Sequence, residues 1–265
     1  MVKIDVSAVC ELMKGIASAE VLPRFKNLSV SDINTKDAAD DLVTIADTET
    51  EKALSVGLKA LLPEASVVGE EAAFQDPSVL DCLNGDGPVW IVDPVDGTMN
   101  FSYGRSEFGM VVALVCKGET VAGWLYAPAY GLMICGEKGS GAFLEGGKRL
   151  SVSAPKTNMS DLIGIVGRRV MFKDKKMRAP AYWGSACFGY QMIVAGDADF
   201  TAYRTKSIKP WDHAAGVLLH AEAGGFTAYT DGTPYTPVMG YKNLISASTK
   251  DEWSYLCKNI AAPPL

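Results

Sequence analysis

Four places along the chain put a carboxylate where a regular element begins or ends: Asp47, Glu70, the pair Asp93 and Asp96, and Asp212. Carboxylates so placed are hard oxygen ligands of the kind magnesium takes, with water and phosphate oxygens filling the rest of its shell. Two such ions about 4 Å apart can clamp the attacking and leaving oxygens of a phosphate ester. Each residue also has a plain structural reading. Asp47 could serve only as a helix N-cap, Glu70 and Glu71 could be a solvated pair, and Asp212, after Pro210 and Trp211, could simply start a helix.

The densest stretch is WIVDPVDGTMNF, residues 90–101. Val89-Trp90-Ile91-Val92 is short, apolar and rich in β-branched and aromatic residues, which predicts a buried strand ending at Asp93. Two carboxylates three residues apart then share a small space, at a cost from mutual repulsion unless a cation is present. A surface turn chosen for Asp-Gly geometry is an equal reading of this segment alone. If a helix begins at Gly97-Thr98, its free N–H groups and dipole would receive a phosphate. Metal ligands beside an anion-binding helix end are the makings of phosphoryl chemistry.

These residues need elements to hold them. Val6, Val9, Cys10, Met13 and Ala17 recur at helical spacing, predicting an amphipathic helix over residues 5–22 that ends near Pro23. Asp47-Thr48-Glu49 opens a second helix through Leu54, Leu58 and Leu61, closed by Pro63, so both helices should precede the first clear strands. ASVVGEE (65–71) reads as a short strand ending in Gly69-Glu70-Glu71, and the apolar runs of 108–150, separated by turn residues, as antiparallel strands. LIGIVG (162–167) starts a second half, CFGYQMIVAG is a helix stopped by Gly196, and PWDHAAGVLLHAEAGG is a helix ending at Gly224-Gly225. Strands and helices mix without strict alternation, so a layered sandwich suits the chain better than a barrel.

Composition narrows the partners. The chain has 265 residues, 48% of them hydrophobic, and a formal net charge of −6, with a pI near 5.1. Nucleic-acid binding would want a clustered basic face. An acidic protein that handles phosphate needs metal ions to reverse the local sign. Six scattered cysteines show neither a C-x-x-C pair nor zinc-like spacing and read as small buried hydrophobes. Asp5 and Glu11 interrupt any signal-like run, and no apolar stretch reaches membrane-spanning length, so a cytoplasmic, reduced protein with no membrane partner is expected.

The combination of GEE at 69–71, WIVDPVDGTMNF at 90–101 and PWDHAAG at 210–216 resembles the three signatures of the inositol monophosphatase family, metal-dependent and lithium-sensitive phosphomonoesterases. DLVTIAD (41–47) and GSGAFLEGGKRLSVS (139–153) fit the same pattern, and the order holds from about residue 5 to about residue 250. The resemblance implies an α/β fold, a five-layer αβαβα sandwich. It would form one domain over 1–265, with an N-terminal α+β part (about 1–150) and a C-terminal α/β part (about 151–265). It implies that Glu70, Asp93 and the Val95 carbonyl hold one magnesium, that Asp93, Asp96 and Asp212 hold a second, and that a weaker third sits near Glu70. Thr98, backed by Asp47 or Glu70, would orient and deprotonate the attacking water, with no covalent phosphoenzyme. Substrate contacts would come from Asp96, Gly97, Thr98, Ser185, Ala186 and Thr205. The implied partners are a small phosphorylated metabolite, inositol monophosphate foremost, and a second copy in a homodimer.

Other motifs compete poorly. DADFT (197–201) fits the D-x-D-x-[TV] pattern of haloacid-dehalogenase-type phosphatases, but about 64 residues follow it, too few for the rest of that fold. In GAFLEGGKR, Gly147 stands where a nucleotide-binding loop needs lysine. His213 and His220, seven apart, are given no role. A non-catalytic regulatory relative would be expected to lack a ligand carboxylate, and none is missing. The substrate is where the resemblance thins. Inositol-specific members carry glutamate seven residues before the third-signature aspartate, and here that position is Thr205 among Arg204, Lys206 and Lys209. Those bases could meet a second phosphate or a carboxylate, or could be solvated loop charges. Histidinol phosphate and sugar or nucleotide bisphosphates therefore stay open as substrates.

Overall fold

A computed structural model describes residues 3–36, 42–167, 170–173, 184–204, 207–240 and 243–261. Helix α1 (Val6–Ile16) is capped by Asp5, whose carboxylate accepts from Ser7 N and Ala8 N. The predicted first helix continues past α1 only as a π-helical turn, Ala17–Val21. Two short antiparallel strands, β1 (Ile33–Thr35) and β2 (Leu42–Thr44), then come before α2 (Ile45–Leu61). The expectation that both helices precede the strands is thus corrected: β1 and β2, of three residues each, are too short to carry an apolar period.

The main sheet has the order β3-β4-β5-β6-β7-β8. Its strands are β3 (Ser66–Gly69), β4 (Pro88–Asp96), β5 (Gly109–Cys116), β6 (Glu119–Ala127), β7 (Leu132–Glu137) and β8 (Gly141–Leu144). Between β3 and β4 lies α3 (Glu70–Gln75), and α4 (Thr98–Ser102) follows β4. β3 and β4 are parallel, and the other pairs are antiparallel. A second sheet, in the order β12-β13-β11-β9, is made of β9 (Gly164–Val166), β11 (Phe200–Tyr203), β12 (Phe226–Tyr229) and β13 (Leu244–Ala247). A small pair joins β10 (Met171–Phe172) to β14 (Ile260–Ala261), and the remaining helices are α5 (Ala186–Val194), α6 (Pro210–Glu222) and α7 (Lys250–Asn259).

Side-chain alternation in β4 sets the layers. Trp90 and Val92 join the core formed with Val9 and Met13 of α1 and Leu54 and Leu58 of α2. Val89 and Ile91 face the other way, into the core formed with Tyr190 and Ile193 of α5 and Ala214 and Leu219 of α6. Beyond these helices, Phe200, Ala202, Ile245 and Ala247 turn the outer face of the second sheet toward Leu256 of α7. The order is helices, sheet, helices, sheet, helix, the αβαβα arrangement expected. Leu54 and Leu58 are fully enclosed, and each such burial stabilises the fold by about 1.5–3 kcal/mol.

α6 is the central layer's long helix, and His220 near its end is fully buried. Its Nδ1 lies 3.0 Å from Thr227 Oγ1, and Thr227 donates to Ser246 Oγ at 2.9 Å, tying α6 to β12 and β13. Burial pushes the imidazole down from 6.5 to about 3. In the unfolded chain the same ring takes a proton below about 6.5. Its neutral form therefore contributes stability that is complete above pH 6.5 and is lost as pH falls from there toward 3. In urea titrations, the stability gap between wild type and His220→Gln should narrow by about 1.4 kcal/mol per pH unit below 6.5. A gap that stays constant down to pH 5 would refute the assignment.

Candidate active site

β4 carries two of the acidic residues, and a regular strand would send residues three apart to opposite faces. Its pairing with β5 shifts between them: Asp93 stands opposite Val111 and Asp96 opposite Gly109. Three steps on one strand therefore match two on the other, a bulge that turns Asp96 to the face Asp93 already occupies. Pro94 sits inside it, where a missing N–H costs the ladder little. That face looks onto α5, since a Cβ at Gly109 would meet Cys187 Sγ at 2.4 Å. The Asp96 carboxylate accepts from Ser185 Oγ, from Ala186 N at 3.1 Å and from Cys187 N at 2.6 Å, so it also caps α5.

Glu70 is the first residue of α3, where the parallel strand β3 stops. The expected strand through Glu71 is corrected here: the chain turns helical at Glu70 because Glu51 of α2 accepts from Glu71 N and Ala72 N, both at 2.8 Å. Gly69 makes room for that carboxylate, as a Cβ there would stand 2.2 Å from Glu51 Cδ. Neither glutamate of the pair is solvated. Glu71 is 5% exposed, and Lys36 Nζ lies 2.7 Å from Glu71 Oε1 and 3.1 Å from Glu70 Oε1. A second ammonium, Lys209 Nζ, lies 3.3 Å from the same Glu70 oxygen.

Asp47 is the third residue of α2, not its N-cap. Thr44 holds that place, and its N–H and Oγ1 both donate to Asp47 Oδ2, at 2.8 and 2.6 Å. The other oxygen, Oδ1, lies 3.0 Å from Thr98 Oγ1. Of the two carboxylates considered behind Thr98, Asp47 is thus the one bonded to it. The Thr98 hydroxyl also lies 3.0 Å from the Val95 carbonyl. A helix does begin at Thr98, after Gly97 at φ 86°, where a Cβ would press within 3.1–3.2 Å of Glu107 O, Ser185 Cβ and Gly184 O. Asp212 lies in the first turn of α6. Its neighbour His213 is buried and turned away to Tyr190, with Nδ1 3.1 Å from the phenol oxygen.

Oxygens of Glu70, Asp93 and Asp212 all lie within 4.8 Å of one another. Burial first, then the charges of Glu70, Asp96, Asp212 and Asp47, push the Asp93 carboxyl well above its usual range. Burial likewise raises Asp212 to about 8 and Asp96 and Asp47 to about 6. Burial acts to raise Glu70 too, but Lys209 and Lys36 overcome it and hold it below its usual value. Asp93 Oδ1 is buried with no hydrogen-bond partner among the described residues. A buried carboxylate with an unsatisfied oxygen, standing beside two further carboxylates, fits a hard cation, whose bonds of about 2.1 Å would draw this set together.

The structure thus brings Asp47, Glu70, Asp93, Val95, Asp96, Gly97, Thr98, Ser185, Ala186 and Asp212 to one place. Thr205 and Lys206 lie outside the described residues. Arg204 is 8% exposed, with Nη1 unpartnered among the described residues, whereas Lys209 reaches the carboxylates. Asp199 of the DADFT motif is a tie between segments, 2.6 Å from Ser153 Oγ, 2.8 Å from Ile163 N and 3.2 Å from Lys156 Nζ. Lys36 and Glu51 escaped the sequence reading. Lys36 sits in a short polar stretch, and Glu51 looks like one more exposed helical glutamate until α3 is placed against it.

Fold and site together define a metal-dependent phosphatase. The chain belongs to the inositol monophosphatase family, whose family model matches residues 4–262. It is similar to a fructose-1,6-bisphosphatase/inositol-1-monophosphatase of Thermotoga maritima, 32% identical over 210 residues covering 77% of each chain. It is also similar to a histidinol-phosphatase of Chlorobaculum parvum, 32% identical over 196 residues, 70% of this chain and 71% of that one. Among solved structures, a Thermotoga maritima IMPase superposes with a TM-score of 0.79 at 26% identity, over 95% of this chain and 96% of the other. The chain is therefore a phosphoric monoester hydrolase acting on small phosphorylated substrates.

Because Glu51 sets the start of α3, it also sets where Glu70 points. Glu51→Ala leaves two amides unpaired, which should cost about 1–3 kcal/mol in urea unfolding. It should also weaken divalent-metal binding in calorimetric titration by about 10–100-fold. Retention of wild-type divalent-metal affinity would show that Glu70 is placed by other contacts.

Proposed function

We propose that this chain is a magnesium-dependent phosphomonoesterase that hydrolyses a small phosphate ester by direct in-line attack of water. The observation that carries this reading is the convergence of Asp93, whose buried Oδ1 has no hydrogen-bond partner among the described residues, with Glu70 and Asp212. In it, Glu70, Asp93 and the Val95 carbonyl hold one magnesium, Asp93, Asp96 and Asp212 hold a second, and a weaker third lies near Glu70. Each carboxylate oxygen of Asp96 has two lone pairs, so capping α5 leaves it able to serve as a ligand. Magnesium bound there supplies positive charge at the phosphoryl oxygens and acidifies water.

The protein's own part is positioning and proton movement. Thr98 donates toward Asp47 at 3.0 Å, which leaves lone pairs of its Oγ1 to accept from the attacking water. The water proton passes to Thr98 Oγ1 as the threonine proton passes to Asp47 Oδ1. The water oxygen bonds to phosphorus as the bond to the ester oxygen breaks on the opposite side. The leaving alkoxide takes a proton from solvent, and orthophosphate and the alcohol depart. Gly97, Ser185 and Ala186 are assigned to the substrate side of the pocket, with Thr205 beyond them.

Inositol monophosphate is the first substrate to test. A substrate with a second anion is favoured by Lys209, a cation standing at the carboxylates. We further read the chain as one domain, a homodimer and a cytoplasmic enzyme. The last rests on six cysteines that are all free thiols and on the absence, among the described residues, of any helix long and apolar enough to cross a membrane.

Phosphate release from inositol 1-phosphate, histidinol phosphate, fructose 1,6-bisphosphate and a nucleotide bisphosphate should vanish in excess chelator, return with magnesium and be inhibited by lithium and by calcium. Full turnover in chelator would refute metal dependence. Asp93→Asn should lose more than a thousandfold in kcat without a lower melting temperature, because the isosteric amide preserves β4 packing while removing the bridging charge. Turnover within tenfold of wild type at saturating magnesium would remove Asp93 from its bridging place. Sedimentation at micromolar concentration should give a species near twice 28.3 kDa, and a monomer alone would end the dimer reading.

A further inference from the structure

Glu70 Oε1 has two ammonium groups on it, and the two are held differently. Lys36 is 3% exposed and is also fixed by Glu71 at 2.7 Å, so it has no other place to go. Lys209 is 34% exposed, its Nζ 5.5 Å from the Trp211 ring centroid, on the residue that leads into α6. A divalent ion taking an oxygen of Glu70 would lie a few ångströms from both ammonium groups. Like charges so close repel, and the group with room to move is the one that leaves.

The direction of its departure follows from burial. Asp93 is 1% exposed, whereas the Glu70 side chain is 15% and the Lys209 side chain 34% exposed and Gly97, Thr98 and Asp212 are half-buried, so the cluster opens to solvent on a side that Lys209 borders. A phosphate ester with its phosphorus among the carboxylate-held ions must send its esterified part out on that side. We propose that Lys209 is a specificity-determining residue. With a divalent ion held by Glu70, the Lys209 ammonium would turn from that carboxylate to a second anionic group, carboxylate or phosphate, on the esterified part of the substrate. Lys209 is thereby a counter-ion of Glu70 when no metal is bound and a substrate contact when one is. The inference rests on the phosphomonoesterase reading above and narrows it to esters bearing a second anion.

Two substrate pairs isolate that anion: 2-phosphoglycerate against glycerol 2-phosphate, and fructose 1,6-bisphosphate, read at release of its 1-phosphate, against fructose 1-phosphate. In wild type, kcat/KM should favour the first of each pair by about tenfold or more, the range of a charge-assisted hydrogen bond. Lys209→Gln should bring both ratios to within about threefold of one, and Lys209→Arg, which keeps the charge, should hold them near wild type. Calorimetric titration with magnesium alone should show Lys209→Gln binding several-fold more tightly than wild type, because a competing cation has left Glu70. Equal ratios in wild type and Lys209→Gln, or equal magnesium affinities, would overturn the inference while leaving the phosphatase intact. No turnover of any of the four esters, or of inositol 1-phosphate, by the wild-type enzyme with magnesium would instead overturn the phosphatase reading and this inference with it.

Discussion

Repulsion among carboxylates is the constraint around which the rest of the molecule is arranged. Asp93, Asp96, Asp212, Glu70 and Asp47 are charged groups that water would keep apart, and each is brought to the same place by an element with a strong reason of its own to be there. The strand carrying Asp93 is sealed on both faces by Trp90, Val92, Val89 and Ile91. The helix carrying Asp212 is locked between two sheets by Ala214, Ala215 and Leu219. Apolar burial supplies the work of convergence, and the site stores it as an affinity for positive charge. Lys36 and Lys209 answer part of that demand from within the chain.

The anionic cluster also stands where several helices begin. α2, α3, α4, α5 and α6 each start beside one of its members, so backbone N–H groups and positive helix ends face it. Some carboxylates spend part of their capacity on these ends: Asp47 closes the first turn of α2, and Asp96 closes that of α5. Asp93 Oδ1 is spent on no described residue. That difference makes the bridging role fall to Asp93 more naturally than to any neighbour.

What was legible in the sequence follows the range of the interactions involved. The β4 strand and both long helices are written in local apolar period, and the metal-ligand candidates in acidic residues at element ends, whereas the order of the layers came only with the family resemblance. The bulge between Asp93 and Asp96 was marked only by Pro94, and it decides that two carboxylates three residues apart share a face. The helical start at Glu70 depends on Glu51, 19 positions earlier in the chain, through hydrogen bonds that no window around SVVGEE contains. Lys36 likewise reaches Glu70 across 34 residues. Whether Lys209 was a solvated loop base or a member of the site depended on where α6 begins relative to α3, a tertiary fact.

Asp96 binds the chemistry of the site to the integrity of the middle layer. Its oxygens hold Ser185, Ala186 and Cys187 at the head of α5, and α5 separates the two sheets. A lineage that drifted away from catalysis could shed Asp212 or Glu70 and keep its scaffold, but losing Asp96 would unpin the helix on which both halves rest. Descendants that kept the fold as an inert adaptor would therefore be expected to retain this aspartate long after the others had gone, and its presence in a sequence is poorer testimony to activity than that of its neighbours.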